Sequence, residues 1–291
     1  MKITKRFNTR SLVILGLMTA LVLIFSLTPI GSIPIGPLSI TLNVIPIAIA
    51  AVACGPVGGA VIGGVFGLFS FLQCFGIGVP SSMGAILVDI NPVLAFIQRF
   101  IPRLLVGLLA GLIYKGISSL RNVRSYYILT GIVSALFGFA VFMSGMLLLN
   151  YDKDGKYKMS DKMREFIGTP SMFIYVCIFL AVIGFAVGYL IVSSKKLSQT
   201  QISCALTGFC TALMNTIFFM TALVVLFGST DYMKDLIAGR NILLFIVTFV
   251  GINALFEMVV TTIMTTAVGT ALSKARLLPE ANKSAAEKKD Q

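Results

Sequence analysis

The chain has 291 residues, of which 57% are hydrophobic and only 12% are charged, and its formal net charge is +12. Soluble domains carry roughly 25% charged residues, so this composition excludes a water-soluble globular protein and indicates an integral membrane protein. The apolar segments are too long for barrel strands and do not alternate with polar residues, so the sequence predicts an all-α protein with spanning helices. The basic excess does not require a nucleic acid partner, because most lysines and arginines flank apolar segments and there meet lipid headgroups.

Eight segments are apolar enough to be predicted as membrane-spanning helices, in chain order 12–29, 41–54, 56–75, 93–115, 126–149, 171–194, 201–228 and 241–272. The first follows four basic residues, as in a signal peptide, but no small-x-small cleavage site follows it, so we expect a retained helix. The second is short for a hydrocarbon core of about 30 Å. Only Gly55-Pro56 separates it from the third, which predicts a tight turn at the membrane edge.

The basic residues predict the orientation of these spans. With the N-terminus in the cytoplasm, the cytoplasmic segments carry the larger share of the lysines and arginines, and the external basic residues are interleaved with acidic ones. We therefore expect a multi-pass protein with both termini in the cytoplasm. The polar tail at 276–291 is predicted to be disordered, which leaves 1–275 as a single helical membrane domain.

Small residues recur at helical spacing in several spans. Glycines occupy every fourth position from Gly55 to Gly67, and this row predicts close packing of helices inside the monomer. Gly107 and Gly111 repeat the same spacing. For the pair Gly16 and Ala20 in the first span, packing inside the monomer and contact with a partner protein both remain open.

Few polar side chains remain inside the predicted spans, Gln98 among them. Those that we expect at a ligand-binding site are Asn43, Gln73, Asn91, Arg99, Arg103, Asn215, Asn253 and Glu257. Asn91-Pro92 is typical of a helix start, with asparagine as the N-cap and proline in the first turn. Intramembrane asparagines also join helices, so Asn215 and Asn253 have that role as an alternative.

Arg99 and Arg103 lie one turn apart on the same face of the fourth predicted span. Arg99 is shallow enough to reach the outer headgroups, whereas Arg103 lies about 15 Å below the helix start. A charge at that depth is costly and therefore needs a partner or a function. One alternative is a buried ion pair of Arg103 with Glu257, and the other is that the arginines face a cavity and bind a carboxylate or phosphate of a ligand. Both can hold at once, with Glu257 orienting one arginine and the other left for the ligand.

The chain lacks the motifs of the common catalytic and metal sites. It contains no histidine, and its five cysteines lie within or beside apolar segments without a CxxC pair, as small core residues do. It has no GxxxxGK[ST], HExxH or GxSxG sequence. We expect no enzyme, no cofactor and no metal site, and any ATP-driven step requires a separate subunit.

Five blocks in order resemble the substrate-binding (S) components of energy-coupling-factor (ECF) transporters. They are LGLMTALVLIFSLTPI, IGPLSITLNVIPIAIAAVACGPVGGAVIGGVFGLFSFL, RFIPRLLVGLLAGLIYK, TALMNTIFFMTALVVLF and GINALFEMVVTTIMTTAVGTAL, and they lie within residues 11–117 and 201–275. The resemblance implies a six-helix bundle in a prokaryotic cell membrane that binds a vitamin from outside with high affinity. It also implies docking onto a transmembrane coupling protein with two ATPases, through the small-xxx-small pair that corresponds to Gly16 and Ala20.

The chain departs from this family in its number of spans, because eight are predicted and six are usual. The surplus is a two-helix hairpin inserted at 118–200, whose role is open. A stand-alone secondary transporter and a non-transport protein such as an assembly factor or sensor are the alternatives. The two arginines favour an anionic vitamin such as pantothenate or folate. A neutral or cationic vitamin stays open as an alternative, because Glu257, Asn215 and Asn253 could bind it.

Overall fold

A computed structural model describes residues 9–35, 38–120, 125–126, 128–136, 138, 198–237 and 242–278. The predicted span at 171–194 and most of the one at 126–149 lie outside these residues, as do the charged loop between them and the polar tail from 279 onward. The core of the predicted insertion therefore stays a prediction.

The described part is a helical bundle, which confirms the all-α membrane class. Its helices are α1 (Thr9–Leu27), α2 (Val44–Leu72), α3 (Ser82–Ile90), α4 (Pro92–Ser118), α5 (Gln199–Phe227), α6 (Asp231–Ile237) and α7 (Ile242–Lys274). Five helical segments of this part, within α1, α2, α4, α5 and α7, are long and apolar enough to cross a membrane. Helix α4 packs against α2 and α5, α7 packs against α5, and α1 packs against α2.

Two short strands, β1 (Ser32–Ile35) and β2 (Leu38–Thr41), interrupt the helical pattern between α1 and α2. They pair antiparallel, with Ser32 opposite Thr41 and Ile35 opposite Leu38. The sequence analysis predicted no strands in this segment. Its isoleucines lie at positions 33, 35 and 40 with prolines at 34 and 37 between them, so no sustained period of two stands out.

Helix α2 contains the predicted reversal at Gly55. Gly55 has φ 74° and ψ −165°, a left-handed conformation that glycine adopts readily, and Pro56 then begins the second arm. Both ends of α2 meet the end of α1, because the Asn43 Nδ2 donates to Ser26 Oγ (3.2 Å) and the Gln73 Nε2 donates to Ser26 O (3.0 Å). A straight helix of this length cannot bring its two ends to one residue, so α2 folds back on itself.

The glycine row of the second arm packs against α4. Gly59 and Gly107 lie backbone to backbone, and a Cβ on either residue would overlap the carbonyl of the other. Gly63 lies against the carbonyl group of Arg103, and Gly67 lies against the next turn of α4. The predicted packing role of these glycines is confirmed, and it places the backbone of α2 against α4 next to Arg103.

The two flanks of the predicted insertion meet at one end of the bundle. The Gln199 Nε2, at the start of α5, donates to Leu120 O (3.0 Å) and to the Tyr126 hydroxyl (2.8 Å), and that hydroxyl donates to Ile117 O (2.8 Å). Helix α5 thus begins beside the end of α4, and the two helices run antiparallel. The opposite end of the bundle is the one where α4 begins.

Candidate ligand-binding site

Arg99 lies inside the bundle, where only 7% of its surface is exposed. Its Nη1 donates to Ser70 Oγ at 3.4 Å, and its Nη2 donates to Ser81 Oγ, the N-cap of α3, at 3.0 Å. A Cβ on Gly84 would lie 2.9 Å from Arg99 Nη2, so the glycine leaves the room that the guanidinium occupies. The expectation that Arg99 reaches the lipid headgroups is wrong, because the serines hold it in the interior.

Arg103 is equally buried, with 5% exposed, and its position follows from the neighbouring proline. Pro102 has no N–H, so the carbonyl of Gln98, four residues earlier, loses its donor in the helical ladder. The Arg103 Nη1 donates to Gln98 O at 3.0 Å and replaces that bond. The guanidinium is therefore fixed beside its own helix, and most of its five N–H groups remain for other acceptors.

Phe219 on α5 joins the two arginines and was not predicted from the sequence. The Cζ atom of Arg99 lies 5.4 Å from the centroid of the Phe219 ring, and the Cζ atom of Arg103 lies 4.3 Å from it. The Phe66 ring of α2 lies 5.5 Å from Arg103 Cζ. Aromatic faces attract cations at these distances, and the attraction grows when water is excluded. The sequence feature that could have indicated Phe219 is its spacing, because it lies one helical turn after the candidate site residue Asn215.

Glu257 on α7 is held by other partners than the arginines. Its Oε1 accepts from the Thr41 N–H at 2.8 Å, and its Oε2 accepts from Asn215 Nδ2 at 3.5 Å. Within the described residues, neither guanidinium has a carboxylate oxygen within 4.0 Å, so the ion pair of Arg103 with Glu257 is not formed. The carboxylate instead ties the end of β2 to α5 and α7.

The remaining predicted site residues occupy different places. Asn43 and Gln73 join the two ends of α2 to Ser26, as described above. The Asn91 Oδ1 caps α4 by accepting from the N–H groups of Val93 and Leu94, at 3.0 and 3.1 Å, as its sequence predicted. Asn253 is buried on α7 one turn before Glu257.

Several buried polar atoms have no hydrogen-bond partner among the described residues. They are Arg99 Nε, Arg103 Nε, both amide atoms of Gln98, the Oδ1 atoms of Asn43 and Asn215, and Thr265 Oγ1. Native interiors leave few such atoms, and each one requires an explanation. Most of them lie where α4 faces α5, beside two guanidiniums that have no counter-ion in the described part of the chain. This arrangement offers charged donors to an anion and neutral hydrogen-bonding groups beside it.

The comparison with known protein families agrees with this architecture. Residues 10–180, more than half of the chain, match the family of the ECF transporter, substrate-specific component. The chain belongs to this family of S components. The resemblance predicted from the five sequence blocks is thereby confirmed.

A curated relative of this S component is the "Pantothenate transporter PanT" of Leuconostoc mesenteroides subsp. mesenteroides. The two sequences are 37% identical over 113 residues, which is 37% of this chain and 52% of the relative. The alignment thus spans about half the length of that protein.

Helix α1 of this S component has one face turned away from the bundle. Gly16 and Ala20, the predicted partner contacts, are both exposed on it, and a Cβ on Gly16 would have no neighbour within 4 Å among the described residues. The opposite face packs on α2 through Ile14, Leu15 and Val22. The small pair is therefore not used for packing in the described part of the monomer, and its contact with a partner stays a prediction.

Proposed function

We propose that this S component is the high-affinity binding subunit for uptake of pantothenate or a similar vitamin carboxylate. The observation that carries the proposal is the pair of buried guanidiniums of Arg99 and Arg103, which have no carboxylate oxygen within 4.0 Å among the described residues. Two buried cations without a counter-ion are strongly unfavourable, and an anionic ligand supplies the missing charge. Arginine is also suited to carboxylates, because its planar fork donates two parallel hydrogen bonds.

The choice of pantothenate rests on the relative from Leuconostoc mesenteroides, which is named a pantothenate transporter. Folate, the other anion that we consider, is much larger. Pantothenate carries one carboxylate, one amide and two hydroxyl groups, so it also suits the neutral polar atoms beside the arginines.

The energy for uptake is proposed to come from a separate module with a transmembrane coupling protein and two ATPase subunits. The chain has no phosphate-binding loop of its own. In this proposal the protein lies in a prokaryotic cell membrane with both termini in the cytoplasm, and the exposed face of α1 with Gly16 and Ala20 docks onto the coupling protein.

Uptake of radiolabelled pantothenate tests this function. The chain is expressed in cells without their own pantothenate uptake, alone or with the coupling protein and ATPases, and the control carries ATPases whose P-loop lysine is replaced. We expect uptake only with the complete, active module. Uptake by the chain alone that collapses with the ion gradient would identify a secondary transporter instead, and no uptake in any combination would refute the proposed function.

A further inference from the structure

Gln98 is a fully buried amide on α4, with 0% of its surface exposed. Neither its Oε1 nor its Nε2 has a hydrogen-bond partner among the described residues. Its backbone carbonyl accepts from Arg103, so the residue lies directly beside the proposed anion site. If Gln98 only filled space, leucine at this position would give a more stable fold, because burying unpaired polar atoms costs more free energy than a typical hydrogen bond contributes.

Asn215 on α5 has a similar unpaired atom. Its Nδ2 donates to Glu257, which fixes the orientation of the amide, and its Oδ1 is buried without a partner among the described residues. The free atom is a hydrogen-bond acceptor, so it complements a group that donates, such as a hydroxyl.

The two amides lie at different depths beside the layer formed by the guanidiniums and Phe219. Gln98 directly precedes Arg99 on α4, and its carbonyl accepts from Arg103, so it lies at the level of the guanidiniums. Phe219 contacts both Arg99 and Arg103, and Asn215 lies one turn before Phe219 on α5, farther from the end of the bundle where α4 begins. An extended ligand with its carboxylate on the arginines therefore reaches Gln98 first and Asn215 farther along.

We propose that Gln98 and Asn215 are specificity residues that bind the uncharged polar groups of the ligand. Gln98, beside the guanidiniums, binds an amide close to the carboxylate, and Asn215 accepts from a hydroxyl at the far end. The ligand class is therefore a small extended acid with an amide and a distal hydroxyl, and not a simple aliphatic acid. This inference rests on the proposed function, because it places the carboxylate on Arg99 and Arg103.

Titration calorimetry with matched ligands and variants tests the assignment. The three ligands are pantothenate, a dideoxy analogue and an ester analogue. The dideoxy analogue, N-(3,3-dimethylbutanoyl)-β-alanine, lacks both hydroxyl groups, and in the ester analogue an oxygen atom replaces the amide N–H. The variants are Gln98→Leu and Asn215→Leu, and the control is Thr207→Val. Thr207 is buried on α5, two turns from Asn215, and its hydroxyl donates to the Ser203 carbonyl at 2.8 Å.

We expect each leucine variant to bind pantothenate about 10- to 100-fold more weakly, and Thr207→Val to bind it as the wild type does. The loss for Asn215→Leu should disappear with the dideoxy analogue, and most of the loss for Gln98→Leu should disappear with the ester. Comparing ligands on one variant cancels general damage to the fold. Without ligand, Gln98→Leu should melt at a higher temperature than the wild type, because an unpaired amide has been removed.

The outcomes separate this inference from the proposed function. If the wild type binds pantothenate but both leucine variants bind it equally well, the specificity role is overturned and the function stands. Losses that are the same for all three ligands would show that the amides only shape the site, which also overturns the role. If the wild type binds none of the three ligands, the proposed function itself fails.

Discussion

At the scale of single residues, the site depends on how Pro102 and Arg103 act together. The proline removes one helical hydrogen bond, and the arginine that follows restores it through its side chain, which holds the guanidinium between Phe66 and Phe219. Arg103 thus uses one N–H group for a structural hydrogen bond. Its other N–H groups face no carboxylate of the described residues. A charged residue in the interior of a membrane protein is a functional candidate for this reason.

Replacing Arg103 with methionine tests whether its remaining N–H groups bind the ligand carboxylate. A charge-assisted hydrogen bond contributes about 1.5–3 kcal/mol, so we expect pantothenate to bind about 10- to 150-fold more weakly to Arg103→Met. Affinity for pantothenol, in which an alcohol replaces the carboxylate, should change much less. The matched control is Lys115→Met, which removes an exposed charge from the same helix. Equal losses for both ligands would mean that Arg103 supports the fold and does not bind the carboxylate.

At the scale of elements, the hairpin of α2 and its packing on α4 set the position of the arginines. The turn at Gly55 sends the glycine row along α4, and the backbone contact of Gly59 with Gly107 brings the two helices as close as backbones allow. Close approach of this kind stabilises the association of helices in membranes, because burial of apolar surface between helices contributes little free energy there. Gly107 lies one turn after Arg103 on α4, so this contact fixes the part of α4 that carries the arginines.

A single methyl group at Gly107 should disturb this packing. The Cβ of Gly107→Ala would overlap the backbone of Gly59, and relieving an overlap of this kind typically costs about 1–3 kcal/mol. Gly116→Ala on the same helix is the control, because its Cβ has no neighbour within 4 Å among the described residues and alanine favours helix by about 1 kcal/mol. Thermal unfolding in detergent should show a lower midpoint for the first variant only. An unchanged midpoint for Gly107→Ala would contradict the packing described here.

Much of the arrangement of elements follows from local sequence signals. The Asn91-Pro92 cap, the Gly55-Pro56 turn and the glycine row each depend on neighbouring residues, and all three were predicted correctly. The burial of Arg99 was not, because its partners Ser70 and Ser81 come from other segments and only the fold brings them near. The same holds for the bond from the Thr41 N–H to Glu257, which joins residues 216 positions apart. Sequence spacing carries no information about such a contact.

At the scale of the whole molecule, the bundle has a buried polar interior, where the ligand is proposed to bind, and an exposed face on α1 that packs against nothing in the described part of the chain. We expect Gly16→Leu to abolish co-purification with a tagged coupling protein, because a large side chain blocks close approach of a second helix at a small-xxx-small pair. Pantothenate binding should remain unchanged. Gly116→Leu, at another open position, is the control and should keep the complex. If Gly16→Leu also keeps it, the α1 face is not the docking surface.

In the proposed function, the buried arginines make this S component a binding protein for a carboxylate vitamin. Equilibrium dialysis of radiolabelled pantothenate against the purified protein tests this role most directly, with unlabelled pantothenate and pantothenol as competitors. We expect saturable binding at one site per chain, with pantothenol at least 10-fold weaker as a competitor because it lacks the charge that the guanidiniums bind. Equal competition by pantothenol, or no saturable binding of pantothenate, would contradict it.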